Sequence, residues 1–324
     1  TESCAPVLGL SGMSAVIPVH TLYCMRPSHV VIGRCGEFFR PKPRCSPSSA
    51  WLSILLLLSG IEVNPGPSVN FGFINAHSVV NKGPLIIDLI ESRTPRLDML
   101  AVCETWIAND DPDAIKLDCM PAGYRVVHRP RPAATTTTRG GGLCVIYRDT
   151  LSVKVHPRQR SVDRYGSFEC QLVSVDVGGG SHSKDCDTVA IIYRPPSSSS
   201  SSLERFYDDF ADLLVKVGDA VDTDQFVALG DFNCGGDDST SIRTELTTLL
   251  EANHLQQHVT SATRTTATTS SLLDLVINRA GSSRVSEVAV TSSHDASDHD
   301  LISGQIATRT RPPRQVQTYS FRNL

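Results

Sequence analysis

From Ser68 onward the chain is a series of short apolar runs, and most of them end on or border a polar side chain that can hold an ion or a phosphate. Val69, Phe71 and Phe73 alternate and stop at Asn75, and the run 97–103 stops at Glu104. The run 189–193 closes on the phenol of Tyr193, and Phe226-Val227-Ala228-Leu229 leads into Gly230-Asp231-Phe232-Asn233. Runs of this length bounded by turn residues read as buried strands. Further strands are predicted over 143–147 (after Gly140-Gly141-Gly142), 168–177, 273–277 and 301–306. Between them, Leu203, Phe206, Phe210, Leu213, Leu214 and Val217 fall at helical spacing on one apolar face, and Leu246, Leu249 and Leu250 mark a second helix. Strands alternating with helices predict an α/β fold whose polar strand ends collect at one sheet edge, where ligands bind.

Gly230-Asp231-Phe232-Asn233 shows what such an end offers. The run before it reads as a strand broken by glycine. Side chains two residues apart share one side of an extended backbone, so Asp231 and Asn233 can address one atom or ion. Gly, Asp and Asn are also turn formers, and the four residues alone leave turn and site as equal alternatives. The other strand ends decide between them.

The length of 324 residues allows one large α/β domain with extensions, or two smaller domains. Charge is uneven: residues 1–67 carry +2 and 307–324 carry +4, which leaves −10 for the middle of a chain whose total is −4. Ordinary nucleic-acid-binding modules are basic, so an acidic middle counts against a pure binding module. It suits carboxylates gathered around a divalent cation. The ten cysteines include no C-x-x-C pair, which leaves a zinc ribbon or a thioredoxin motif without support, and they read as free thiols of a reducing compartment. Thr135 to Thr138 and the six serines 197–202 read as a loop and a linker.

Residues 1–50 show no sustained period, with many Pro, Ser and Cys, and no fold is assigned there. The run Trp51-Leu52-Ser53-Ile54-Leu55-Leu56-Leu57-Leu58 is too short to span a bilayer, which takes about 20 residues, so no stable membrane insertion is expected. It starts late for a signal-peptide core and lacks a small-x-small cleavage site. Behind it, Gly60-Ile61-Glu62-Val63-Asn64-Pro65-Gly66-Pro67 resembles the 2A ribosome-skipping peptides, whose pattern is D-x-E-x-N-P-G-P after an apolar segment. The resemblance covers about 17 residues and implies that the bond between Gly66 and Pro67 is not made during translation. Gly60 replaces the usual Asp, which bears on the efficiency of skipping.

The remaining polar strand ends form a coherent set. Glu104 supplies a hard carboxylate and Asn75 a neutral oxygen, suited to Mg²⁺ or Mn²⁺ held by few protein ligands and several waters. In Ser297-Asp298-His299 a histidine stands beside one carboxylate, with Asp274 available to fix its tautomer. A divalent cation with an oriented His and Asp is the equipment for attack of water on a phosphodiester.

Phe73-Ile74-Asn75-Ala76-His77-Ser78, Glu104-Thr105-Trp106, Gly140-Gly141-Gly142, Ile192-Tyr193-Arg194-Pro195-Pro196, Gly230-Asp231-Phe232-Asn233, Leu273-Asp274-Leu275-Val276-Ile277 and Ser297-Asp298-His299 occur in this order. The series resembles the endonuclease/exonuclease/phosphatase superfamily, and within it the AP-endonuclease-like domain of non-LTR (LINE-type, chicken-repeat-like) retrotransposons. Singly the motifs are weak; as an ordered set over 68–306 they are specific. The resemblance implies a four-layer α/β/β/α sandwich of the DNase I-like type over 68–306, between a leader 1–67 and a basic Pro/Arg linker 307–324. It implies a Mg²⁺- or Mn²⁺-dependent endonuclease that nicks DNA and leaves a 3′-hydroxyl to prime a reverse transcriptase expected downstream.

By the same resemblance Glu104 is the main metal ligand, helped by Asn75, and Asp298 can touch the metal. Asp231 orients or deprotonates the attacking water, and Asn233 contacts the scissile phosphate. Tyr193 stabilises the phosphate or leaving group, His299 binds a phosphoryl oxygen supported by Asp274, and Thr263 and Ser297 lie near the phosphate. His77 stands where relatives commonly have Arg, which bears on DNA contact. The nucleus is expected from a DNA substrate, and the cytoplasm during translation. Two other readings are a phosphatase or phosphodiesterase of the same superfamily acting on a phospholipid or inositol phosphate, and a decayed element domain without activity. No catalytic position of the motif set is substituted, which counts against decay.

Overall fold

A computed structural model describes residues 68–131, 140–177, 186–197, 199–218 and 223–308. The leader 1–67 with Gly66 and Pro67, the run Thr135 to Thr138 and the Arg-Pro-Pro-Arg segment at 311–314 lie outside the described residues. The described elements begin with β1 (Ser68–Asn75), α1 (Gly83–Glu91), β2 (Met99–Cys103), α2 (Asp113–Leu117), β3 (Tyr124–Arg129), β4 (Leu143–Arg148) and β5 (Ser152–Val155). They continue with α3 (Gln159–Val162), β6 (Glu169–Asp176), β7 (Asp187–Tyr193), α4 (Ser200–Gly218), β8 (Phe226–Asp231), α5 (Thr244–Ala252) and β9 (Leu255–Gln257). Last come β10 (Arg264–Thr265), β11 (Ser270–Ser271), β12 (Asp274–Arg279), β13 (Val285–Thr291) and β14 (Leu301–Ala307).

These strands form two six-stranded sheets, ordered β13-β14-β1-β2-β4-β3 and β5-β6-β7-β8-β12-β9. The sheets meet face to face, with β1 over β8, β2 over β7 and β4 over β6. Alternation decides which side chains meet there. Phe71 and Phe73 of β1, Met99 and Ala101 of β2, and Leu143 and Val145 of β4 pack into one buried core with the second sheet. Their neighbours Ile74, Leu100, Val102, Cys144 and Ile146 point the other way and bury Ile86, Leu89 and Ile90 of α1. On the second sheet, α4 buries Leu203, Phe206, Phe210, Leu213 and Val217, and α5 buries Leu246 and Leu250. The fold is therefore the expected four-layer α/β/β/α sandwich of the DNase I-like type.

Several local expectations are corrected. The strand before Asp231 is not broken at Gly230: β8 runs through it to Asp231, because glycine there lets β7 come close. A Cβ on Gly230 would collide with the Ile192 carbonyl oxygen and the backbone beside it. The serine stretch 197–202 is not all linker, since α4 starts at Ser200. Leu214 is only half-buried beside the fully buried face of α4. The strands β3, β5 and β13 are not predicted from the sequence, and neither is the helix α1, although its Leu85, Ile86, Leu89 and Ile90 do stand at helical spacing. β13 has a mostly exposed, irregular pattern and a bulge between Ser286 and Ala289.

Candidate active site

Register brings the polar strand ends together. β1 and β2 run parallel with Asn75 opposite Cys103, and β7 and β8 run parallel with Tyr193 opposite Asp231. β12 and β14 run antiparallel to these partners, so Asp274 lies opposite Asp231 and the segment before Leu301 lies at the end of β1. One edge of the sandwich thus receives the C-terminal ends of β1, β2, β7 and β8 and the N-terminal ends of β4, β6, β12 and β14.

Asn75 joins the two sheets at this edge. Its Nδ2 donates to Glu104 Oε1 and to Asp231 Oδ2, both at 2.9 Å, while its Oδ1 accepts the backbone N–H of His77 at 3.0 Å. Two carboxylate oxygens can face only the NH₂ end of an amide, so this network fixes the amide orientation. With 2% exposure, Asn75 cannot trade these partners for water. Glu104 has a left-handed φ of 52° just past β2, and its Oε2 accepts the Trp106 indole N–H at 3.2 Å. The backbone N–H groups of Thr105 and Trp106 donate to the carbonyls of Gly142 and Gly141 at 3.1 and 2.9 Å. Gly142 has φ 83° and packs so closely that a Cβ would sit 2.6 Å from Thr105 Oγ1, so the glycine run is a cradle for the Glu104 turn.

Asp231 is pinned at both oxygens. Oδ2 faces Asn75, and Oδ1 accepts the backbone N–H of Asn233 at 2.9 Å. This is an Asx-type turn, and it holds the Asp231 carboxylate at the edge where the other polar strand ends gather. Asn233 has φ 47° and has left the strand, so the two-residue strand period does not align it with Asp231. Its Nδ2 donates to the Arg194 carbonyl at 2.7 Å. Burial, and next the Asp274 carboxylate, push the Asp231 carboxyl up to about 7, against the pull of His299 and of the hydrogen bonds from Asn75 and Asn233.

His299 Nδ1 donates to Asp274 Oδ2 at 2.8 Å, and both side chains are buried. Burial alone would lower the His299 pKa, but Asp274, with Asp231 and Asp298 behind it, outweighs burial and raises it to about 9. Thr263 is fully buried and its Oγ1 accepts the N–H groups of Leu273 and Asp274 at 3.1 and 3.0 Å, fixing the start of β12. Ser297 Oγ donates to the Asn75 carbonyl at 2.5 Å and accepts the N–H of His299 at 3.1 Å, tying the Ser-Asp-His segment to β1. Tyr193 is buried, and its phenol is held protonated far above neutrality by burial and then by the Glu104 carboxylate.

Asn75, Glu104, Tyr193, Asp231, Asp274 and His299 form one connected group, with Thr263 and Ser297 as braces. Asp298 differs. It is exposed, and its Oδ2 accepts from Arg264 at 2.8 Å, so a guanidinium occupies the carboxylate that was expected near a metal. His77 is exposed and meets Trp106 edge-on, with ring centroids 5.0 Å apart.

Three side chains at this edge escaped the sequence reading. Trp106 orients Glu104 through its indole. Glu169 lies opposite Tyr193 at the start of β6, accepting the Gly142 N–H at 2.7 Å and Arg131 Nε at 2.5 Å. Arg194 is buried behind the Asp231 turn. Glu169 begins its strand rather than ending it, and only the antiparallel pairing with β7 reveals that the two ends coincide.

The donor set fits a hard divalent cation. Glu104 is half-buried, with Oε1 accepting from Asn75, Oε2 from Trp106 and the Tyr193 phenol beside the same carboxylate. Two carboxylate oxygens offer about four lone-pair sites, so three donors leave room for a cation. Asp274 Oδ1 is a buried oxygen without a hydrogen-bond donor, and ligand atoms of Asp231, Asp274 and His299 all lie within 4.8 Å of one another. Oxygen-rich sites of this kind suit Mg²⁺ or Mn²⁺.

A family model described as the Endonuclease/Exonuclease/phosphatase family matches residues 73–299. The fold resembles the "Endonuclease domain of TRAS1, a telomere-specific non-LTR retrotransposon" (TM-score 0.53, 14% identity, 75% of this chain and 100% of that one). It also resembles the 3′ phosphatase NExo from Neisseria bound to a product DNA hairpin (0.54, 14%, 74% and 99%). A third likeness is to the AP endonuclease LMAP from Leishmania major (0.54, 12%, 83% and 93%). At these identities the likeness is one of fold. A comparison with the curated proteins finds no match.

Proposed function

Because this chain belongs to the endonuclease/exonuclease/phosphatase family, we propose that it is a metal-dependent DNA endonuclease of a non-LTR retrotransposon, which nicks one strand and leaves a 3′-hydroxyl. The observation that carries this reading is the single hydrogen-bonded path from Glu104 through Asn75 to Asp231, with the His299–Asp274 pair beside it. A carboxylate for a cation, a base for water and a cation for phosphate stand at one edge. The ordered motifs favour the retroelement nuclease within the family, and the TRAS1 endonuclease domain shares the fold.

Glu104 would hold Mg²⁺ or Mn²⁺, which would supply charge stabilisation at a phosphoryl oxygen. Asn75, expected to help as a ligand, turns its NH₂ to Glu104 and its Oδ1 to the His77 N–H, and so braces that carboxylate instead. Asp231, with both oxygens pinned, takes a proton from the water whose oxygen attacks phosphorus, and the bond from phosphorus to the 3′-oxygen breaks. The protonated Tyr193 phenol donates toward the phosphate or the departing oxygen. His299, kept cationic by Asp274, binds a phosphoryl oxygen whose negative charge grows as the bond forms. Asn233 keeps one amide hydrogen free for the phosphate, the other being held by the Arg194 carbonyl. Asp298, with its carboxylate on Arg264, shapes the approach to His299 and leaves the cation to Glu104.

Incubating the 324-residue chain with supercoiled plasmid and Mg²⁺ tests the reading. Open circles whose nicks a DNA polymerase extends support it. Release of phosphate from an inositol phosphate without nicking would favour the phosphatase alternative. The 2A-like leader belongs to the same proposal: in-vitro translation should give two products parted at Gly66 and Pro67, and a single full-length band would reject it.

A further inference from the structure

The largest fully buried side chain among the described residues is that of an arginine, Arg194, 1% exposed. A guanidinium keeps its charge in any protein environment, and burying a charge without a carboxylate partner is costly. Arg194 forms no ion pair with a described carboxylate. It spends its donors on backbone carbonyls instead: Nη1 donates to Asn233 O at 2.8 Å and Nη2 to Ser197 O at 3.0 Å, while Nε has no partner. The guanidinium carbon lies 5.5 Å from the centre of the Phe206 ring, which packs with Phe210 and Phe232. The backbone of the same residue holds the same turn. Arg194 N–H donates to Asp231 O at 2.9 Å, one step beyond the β7–β8 ladder, and Arg194 O accepts Asn233 Nδ2.

We propose that Arg194 is a positioning residue that clamps the Asp231-Phe232-Asn233 turn in its working conformation. The inference rests on the nuclease reading for its consequence on rate, and on geometry alone for its effect on the turn. Asn233 stands at φ 47°, in the left-handed region, which asparagine enters more readily than other side chains but which is still a minority state of a free chain. Its carbonyl and its side-chain amide are both fastened by Arg194, and its N–H is fastened by Asp231. Nη1 also reaches the Phe232 carbonyl at 3.5 Å, the oxygen of the same peptide that carries the Asn233 N–H. If Arg194 releases both carbonyls, the peptides on either side of Asn233 can rotate, the N–H leaves Asp231 Oδ1, and the carboxylate loses one of its two fixed contacts. A buried cation held by carbonyls of two separate segments is a specific answer to that need. A lysine, with one nitrogen in place of a planar fork, cannot span Asn233 O and Ser197 O together.

The test compares Arg194→Lys with Phe206→Leu, which loosens the same wall without removing a hydrogen bond to the turn. Arg194→Lys is expected to lower kcat about 100-fold per folded molecule with KM for plasmid within about threefold, and Phe206→Leu to leave kcat within about threefold at a similar loss of Tm. Amide hydrogen exchange reads the clamp without activity: Phe232 and Asn233 should exchange at least about tenfold faster in Arg194→Lys while β12 is unchanged. Unchanged exchange at Phe232 and Asn233 in a folded Arg194→Lys protein overturns the proposal, and so does a kcat equal to that of Phe206→Leu. If Arg194→Lys does not fold, exchange in the unaltered protein decides. Phe232 and Asn233 amides as slow as those of β7 support the clamp, and exchange at open-loop rates refutes it. Lack of nicking by the unaltered protein defeats the nuclease reading, and hydrogen exchange still judges the clamp.

Discussion

At the scale of residues, the site separates the protonation of two neighbours. Asp231, raised to about 7, gains its role as a base when pH climbs through that value, and His299, raised to about 9, loses its positive charge above it. Nicking is therefore expected to follow a bell with limbs near 7 and 9, the acid limb moving down when a cation binds beside Asp231. His299→Gln should abolish the alkaline limb, and a limb that persists in that variant would remove His299 from this role. The same histidine has a stability signature. Its folded pKa lies above its unfolded value, so its contribution is complete below about 6.5 and is lost as pH rises through about 9. Thermal melts of the unaltered chain and of His299→Gln should converge above that pH. Asp231→Asn keeps the shape, but its NH₂ must face either Asn75 Nδ2 or the Asn233 N–H. It should lose at least about 10²-fold in rate and melt no higher than the unaltered chain.

At the scale of elements, the edge depends on strands that end together, which requires β7 and β8 to approach closely at Gly230. Gly230→Ala places a methyl group against the Ile192 carbonyl, and should cost about 3 kcal/mol and lower Tm by about 10 °C. A melt within about 2 °C of the unaltered chain would show that the strands part easily. The sequence made β1, β2, β4, β6, β7, β8, β12 and β14 legible because each is a continuous apolar run buried on both sheet faces or an alternating one buried on one face. The helix α4 was legible for its single apolar face. By contrast β3 and β13 lie at sheet edges with half-exposed, mixed sequences, where pairing rather than pattern defines the strand. The site was legible for a related reason. Asn75, Tyr193 and Asp231 end strands and Glu104 follows one, whereas Glu169 begins one and Arg194 stands in its motif only as the residue between Tyr193 and two prolines.

At the scale of the whole molecule, charge divides the work. Residues 68–306 carry −10 and residues 307–324 carry +4, so much of the attraction for a polyanion is expected from outside the acidic core. Removing 307–324 should reduce the slope of log affinity for DNA against log salt by about 3. An unchanged slope would place the phosphate contacts within 68–306. The central claim is that Asp231 and His299 act together, across the second sheet and the end of the first, on one phosphodiester. Nicking of supercoiled plasmid at pH 8 with Mg²⁺ by the unaltered chain, Asp231→Ala and His299→Ala, each checked for folding by its melt, tests it most directly. The account predicts polymerase-extendable open circles from the unaltered chain and a rate at least about 10²-fold lower from each variant. Equal nicking by all three folded proteins, or none by the unaltered chain, would contradict it.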